Sequence, residues 1–207
     1  MAVSIDFSKW PKNTHSPNIF DLELLNKKYY LKLENYPITK KHIQCLLRFI
    51  WHCAVQKEME LIQYREGYLR AALMEFAILE DSLNDECILY KENKFKFYNR
   101  NEPIFHLLKM LRNTQIHLRN INLGEEKYEY LWGGNDEDGK PRIWQGKIYV
   151  SQDLNSSDLD EWDGKKKKLY SEEQIAQLLT WFNLEQKSFG IQNLIYLGMN
   201  CFIDILP

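Results

Sequence analysis

The sequence predicts an all-α fold, an up-and-down helical bundle with one small β-hairpin inserted before its C-terminal helices. Three observations predict it. Apolar residues recur at helical spacing over two long stretches in the first half of the chain. A proline and a capping signature mark the starts of later helices. The β-forming residues are confined to one region with a glycine-rich turn at its centre.

Residues 1–17 are polar, carry Pro11 and Pro17, and read as an extended or weakly ordered arm. A short helix is expected from Asn18 towards Leu33, and Pro37 then breaks the chain. Thr39 is the expected N-cap of a long helix in which Ile43, Leu46, Leu47, Ile50, Ala54 and Met59 recur on one face. A second long helix is expected from Leu61 to Cys87. Its apolar stripe is Leu69, Ala72, Leu73, Phe76, Leu79 and Leu83, with Ala71 and Ala72 permitting close approach.

Lys91 to Asn101 reads as a polar and aromatic connection. Pro103 suits the first turn of a third helix, with Asn101 or Glu102 near its cap. This helix runs through Leu107, Leu108 and Leu111 and is expected to end by Gly124. Tyr128–Trp132 and Ile143–Val150 are rich in β-formers, and the spacer between them holds three glycines, so a hairpin is expected. The whole excursion, hairpin plus an acidic loop ending in Lys165–Lys168, occupies residues 125–168. Ser171 with Gln174 three residues on is a capping box that opens a helix through Ile175, Leu178, Leu179 and Phe182. A last helix is expected from Ile191 to Leu206. The chain holds no domain-sized repeat and no low-complexity linker, so residues 1–207 read as a single domain.

With 207 residues, 44% of them apolar and 14% aromatic, the chain is long enough to bury a real core. Its formal charge of −2 gives no global attraction for nucleic acid, so any RNA binding must come from a local basic patch. No secretory start and no membrane-spanning apolar run is visible. Cys45, Cys53, Cys87 and Cys201 are scattered without a metal-ligand or disulfide pattern. The expectation is a reduced, cytoplasmic protein without metal, cofactor or membrane.

Within the third helix stands Leu111-Arg112-Asn113-Thr114-Gln115-Ile116-His117. An always-charged guanidinium close to an imidazole that titrates near neutrality suits chemistry at a phosphodiester: Arg112 can hold a phosphate and His117 can move a proton. Asn113 and His117 are four residues apart and share a helical face, so the amide can orient the ring. A rival pattern exists at Arg100-Asn101 followed by His106. It straddles Pro103, which puts its arginine in the connection, so the later pattern, held within one helix, is preferred.

Arg-Asn-x-x-x-His in a late bundle helix, after two long helices, resembles the nuclease members of the HEPN superfamily (higher eukaryotes and prokaryotes nucleotide-binding). The resemblance covers roughly residues 39–123, and Arg112, Asn113 and His117 occupy the family's three motif positions. It implies a metal-independent endoribonuclease, usually a homodimer whose two motifs face one another across a cleft, acting as a toxin or as a defence or stress effector. His117 would serve as general base or acid, Arg112 would stabilise the phosphorane, and Asn113 would orient His117 or bind a phosphate oxygen.

Residues five apart on a helix point about 140° from one another. Arg112 and His117 therefore do not share a face, and a two-fold interface could let both contribute. Arg119, seven residues after Arg112, could extend the phosphate-binding stripe, and Arg70 on the second long helix could add to it. Some relatives paired with a nucleotidyltransferase antitoxin carry a tyrosine two residues after the histidine. Here Arg119 stands in its place, which weakens that mode of control and leaves any antitoxin or regulatory partner unidentified.

Blander readings stand beside these. Glu75 or Glu80 could form a plain salt bridge with Arg112, Glu75 being also a candidate second layer behind the catalytic groups. Arg70 reads equally as a solvated arginine. The Lys165–Lys168 run could contact RNA phosphates, or read as a solvated loop balancing Asp158, Asp160, Glu161 and Asp163. Trp132, Trp144 and Tyr149 could stack on bases or simply cover the bundle. His15, His42 and His52 show no metal-ligand spacing. The alternatives to a nuclease are a non-catalytic member of the same fold that binds nucleotide or RNA or serves in an assembly, and an unrelated all-α interaction protein.

Overall fold

The two long amphipathic stretches form helices α2 (Pro37–Val55) and α3 (Ile62–Glu86), preceded by the short α1 (Lys27–Leu33). The computed structural model describes residues 3–12, 27–55, 62–117, 123–135, 137–157 and 169–207, with the backbone course alone at 27–28, 53–55, 62–65, 114–117, 123–135 and 141–149. Ile43, Leu46, Leu47 and Ile50 of α2 and the whole predicted stripe of α3 are buried. The two helices run antiparallel, as contacts along their length show. The Thr39 hydroxyl donates to Ser82 Oγ at 3.2 Å, His42 Nδ1 lies 2.7 Å from Glu75 Oε2, and further along α2 His52 stacks on Tyr68.

The expected N-cap at Thr39 is not formed. Pro37 is the first helical residue, where its fixed φ and missing N–H cost nothing. The free N–H groups of Ile38 and Thr39 are instead satisfied by the Glu86 carboxylate from the last turn of α3, the second at 2.8 Å. Tertiary contact supplies the acceptor that the Thr39 hydroxyl was expected to supply, and does so with a negative charge at the end of the helix where one is favoured.

Lys91 to Asn101, expected as a polar and aromatic connection, contributes two phenylalanines to the core. The Asn84 amide clamps the Phe95 backbone from both sides, at 2.7 and 3.1 Å, and Glu80 accepts the Phe97 N–H at 2.6 Å. These bonds sink both rings: Phe97 stacks on Phe76 at 4.7 Å between centroids and meets Phe105 at 4.9 Å.

Helix α4 (Pro103–His117) packs against α3, α5 and α6, and residues 103–108, 110 and 111 are buried. Its described span closes at His117, within the expected limit of Gly124, and Leu123 and Gly124 belong to strand β1 (Leu123–Asn135), opposite Ser151 and Val150 of β2 (Pro141–Ser151). The two strands form an antiparallel hairpin longer than the predicted runs, with a register shift between Trp132 and Asn135 and Gly139 at φ 77° in the turn. β2 meets α2, α5 and α6, and the Ser151 N–H donates to Gln186 Oε1 at 2.8 Å.

The capping box at Ser171 and Gln174 opens α5 (Glu172–Phe189) as expected. Gly190, at φ 80°, then turns the chain into α6 (Ile191–Asp204). Gly198 permits close approach there: a Cβ at that position would lie 2.1 Å from Leu108 Cδ1. Lys32 Nζ donates to the carbonyls of Asp204 and Leu206, both at 2.8 Å, and closes the C-terminal end of α6.

The described part of the N-terminal arm is extended, as expected, but it is a strap rather than a loose tail. The Val3 N–H bonds the Leu169 carbonyl at 3.0 Å, the Asp6 N–H bonds the Asn101 carbonyl at 2.8 Å, and Trp10 stacks on Trp181 at 4.0 Å. The described residues thus form a mostly helical fold of six α-helices with one hairpin. None of the described helices is long and apolar enough to cross a membrane.

Candidate functional site

The burial pattern of α4 decides which of its residues can meet a ligand. Pro103 to Leu108 are enclosed, and among the described side chains of the helix those that reach solvent are Lys109, Arg112 and Asn113, in its second half. Apolar residues at 104, 105, 107, 108, 110 and 111 face the core. Arg112 and Asn113 therefore sit on the partly open C-terminal half of α4, and His117 is the last residue of its described span. The His117 side chain, Arg119 and Lys165–Lys168 lie outside the described residues, as does His15.

Arg112 Nη1 donates to Asn113 Oδ1 at 2.9 Å. The asparagine oxygen expected to orient His117 is thus turned towards the arginine, and its Nδ2 group remains as a donor. Arg112 Nε is buried and has no hydrogen-bond partner, and among the described residues no carboxylate lies within ion-pair distance of the guanidinium. An N–H left in this condition costs about 1–3 kcal/mol and is relieved by any acceptor that can reach it.

Neither acid considered as a partner of Arg112 reaches it. Glu80, itself 4% exposed, accepts from the Phe97 N–H and from Lys109 Nζ at 2.9 Å. Glu75 faces α2, with His42 Nδ1 at 2.7 Å. Glu80 is a structural anchor for the phenylalanine-rich connection. Glu75, expected as a second layer behind the motif, is an inter-helix partner of His42. Arg70 makes a loose contact with Glu66 at 3.8 Å, and its Nε is also buried without a partner.

The rival pattern is removed by the same kind of accounting. His106 is fully buried, its Nε2 lies 2.7 Å from the Arg100 carbonyl and its Nδ1 lies 3.0 Å from the Tyr170 hydroxyl. Nε2–H donates to the carbonyl, and Nδ1 accepts from the phenol. Burial holds its pKa below the ordinary value, against the Arg100 carbonyl and the nearby Glu102 charge. It is a satisfied core histidine. The neighbouring Arg100 is held by Glu102, through Nη2 at 3.1 Å and Nε at 3.3 Å.

His42 is held by Glu75, and His52 stacks on Tyr68 at 5.1 Å between centroids. Cys45, Cys87 and Cys201 are free thiols, and burial pushes Cys201 up to about 12. Among the described residues no group of three or more His, Cys, Asp or Glu side chains is placed to hold a metal ion. Strand register sets Trp144 opposite Tyr130 and Trp132 opposite Arg142. Comparison of the chain with protein-family models, curated protein sequences and solved structures finds no match in any of the three.

Proposed function

We propose that the protein is a HEPN-type endoribonuclease that cleaves RNA without a metal, acting as a toxin or as a defence or stress effector. The observation that carries this reading is Arg112: an always-charged group on the partly open C-terminal half of α4, beside Asn113, with a buried and unpartnered Nε. His117 follows on the same helix. RNA supplies its own nucleophile in this chemistry. The 2′-oxygen bonds to phosphorus as its proton passes to a base, and the P–O5′ bond breaks as the 5′-oxygen takes a proton from an acid. A 2′,3′-cyclic phosphate and a 5′-hydroxyl result. His117 serves as the proton-transfer group, Arg112 neutralises the phosphorane, and the Asn113 amide donates to a phosphate oxygen. Arg119 and Arg70 extend the phosphate contacts.

A homodimer joined at the C-terminal ends of two α4 helices would set Arg112 of one copy towards His117 of the other. The enclosure of residues 103–108, 110 and 111 favours a second reading, an all-α interaction protein, because it leaves little of α4 for such a contact. Cleavage of a mixed tRNA and mRNA pool in EDTA separates the two. The wild type should yield cyclic-phosphate ends and His117→Ala should not. Absence of cleavage by a folded wild-type protein would overturn the nuclease reading.

A further inference from the structure

A cleft of about 650 Å³ opens where the N-terminal strap crosses the turn that leads into α4. Its volume lies within the range of small-ligand sites, roughly 300–1,000 Å³. The strap forms one wall with Val3 and Ser4, and residues 98–101 form the other. Both walls are fixed: the strap is tied at Val3 and Asp6, Lys9 Nζ bonds Asn101 Oδ1 at 2.9 Å, and Gln174 Nε2 bonds the Val3 carbonyl at 3.0 Å.

The chemistry of the lining is specific. Tyr98 is 42% exposed although its neighbour Phe97 is fully buried, so an aromatic side chain is open to solvent at the cleft. Asn99 is exposed beside it, with an amide that can both donate and accept. The Arg100 guanidinium uses Nη2 and Nε on Glu102, which fixes its plane and leaves Nη1 directed elsewhere. A stacking surface, an amide and an oriented guanidinium in one rigid cleft match a base and its phosphate.

We propose that this cleft is a nucleotide subsite for single-stranded RNA, with a base stacked on Tyr98 and a phosphate on Arg100. It rests in part on the nuclease reading, which supplies RNA as the ligand.

The test uses fluorescein-labelled hexa-adenylate RNA with 2′-O-methyl groups, which the 2′-hydroxyl chemistry cannot cleave. Anisotropy titrations compare the wild type with Tyr98→Ala and Arg100→Gln, both surface changes, with thermal melts to show that each variant remains folded. Each substitution should weaken binding about tenfold. Competition by free 5′-AMP, lost in Tyr98→Ala, would show that the cleft accepts a free nucleotide as well as one within a strand, and competition by the unlabelled oligomer alone would confine it to RNA. Unchanged affinity in both variants, or no binding by the wild type, would overturn the subsite even if the protein cuts RNA. Tyr98-dependent binding by a protein that never cleaves would retain the subsite and remove the nuclease.

Discussion

At the scale of single residues, the contrast between the two arginine–histidine patterns shows how burial sorts chemistry from packing. His106 has both ring nitrogens occupied and no access to solvent, whereas Arg112 has a carboxamide oxygen at Nη1 and nothing at Nε. The second condition disfavours the isolated protein, so replacing the group should not harm it. Arg112→Met is expected to leave stability unchanged or raise it by up to about 1 kcal/mol in urea unfolding. The same substitution should lower cleavage by about 10²–10³-fold, the cost of removing one charge-stabilising donor. A loss of stability as large as that of a core substitution would mean that Arg112 is a structural residue.

His106 carries a pH dependence of definite sign. Its folded value is depressed by burial from an ordinary value of 6.5, so below that pH the unfolded chain takes up a proton that the folded protein refuses. Stability is therefore complete above about 6.5 and declines as pH falls from there towards the depressed folded value. His106→Gln, which keeps a polar group but cannot titrate, should flatten the pH 5–7 part of the urea-midpoint profile. An unchanged slope would assign that dependence to other groups.

At the scale of elements, some helix ends are closed by local sequence and others by distant partners. The Ser171 and Gln174 box is local and was legible because both partners lie within one turn. The N-terminus of α2 is closed by Glu86, 47 and 48 residues away, and the C-terminus of α6 by Lys32, more than 170 residues away. Glu86→Ala should cost about 1–2 kcal/mol. Hydrogen exchange should locate the loss at the first turn of α2, and a uniform loss along both helices would contradict a capping role. Gly198 acts at the same scale, since its missing side chain lets α6 lie against Leu108. Gly198→Ala should cost about 1–3 kcal/mol through overpacking.

At the scale of the whole molecule, the enclosure of α4 constrains how two copies could share a site. Its first half is closed, so a site shared by two copies would form from the C-terminal ends of two α4 helices about a two-fold axis. Arg112→Ala and His117→Ala proteins, each inactive alone, should then complement when mixed. Half the dimers would be mixed, and each of these would retain one intact pair, so up to about one quarter of wild-type cleavage should return. No recovery, with subunit exchange verified, would place Arg112 and His117 of a site on one chain.

The sequence by itself determined the helical class, the main apolar stripes of α2 and α3, the proline start of α4, the hairpin and the capping box. These features rest on periodicity and on interactions within a turn or two, which residue order encodes directly. Only the tertiary structure decided that Phe95 and Phe97 belong to the core, that Glu75 serves His42, and that the first half of α4 is enclosed. It also turned a polar connection and an N-terminal arm into the two walls of a cleft. Such outcomes depend on which surfaces meet across tens of residues, and the energy of each meeting is set by burial and partner geometry rather than by spacing along the chain.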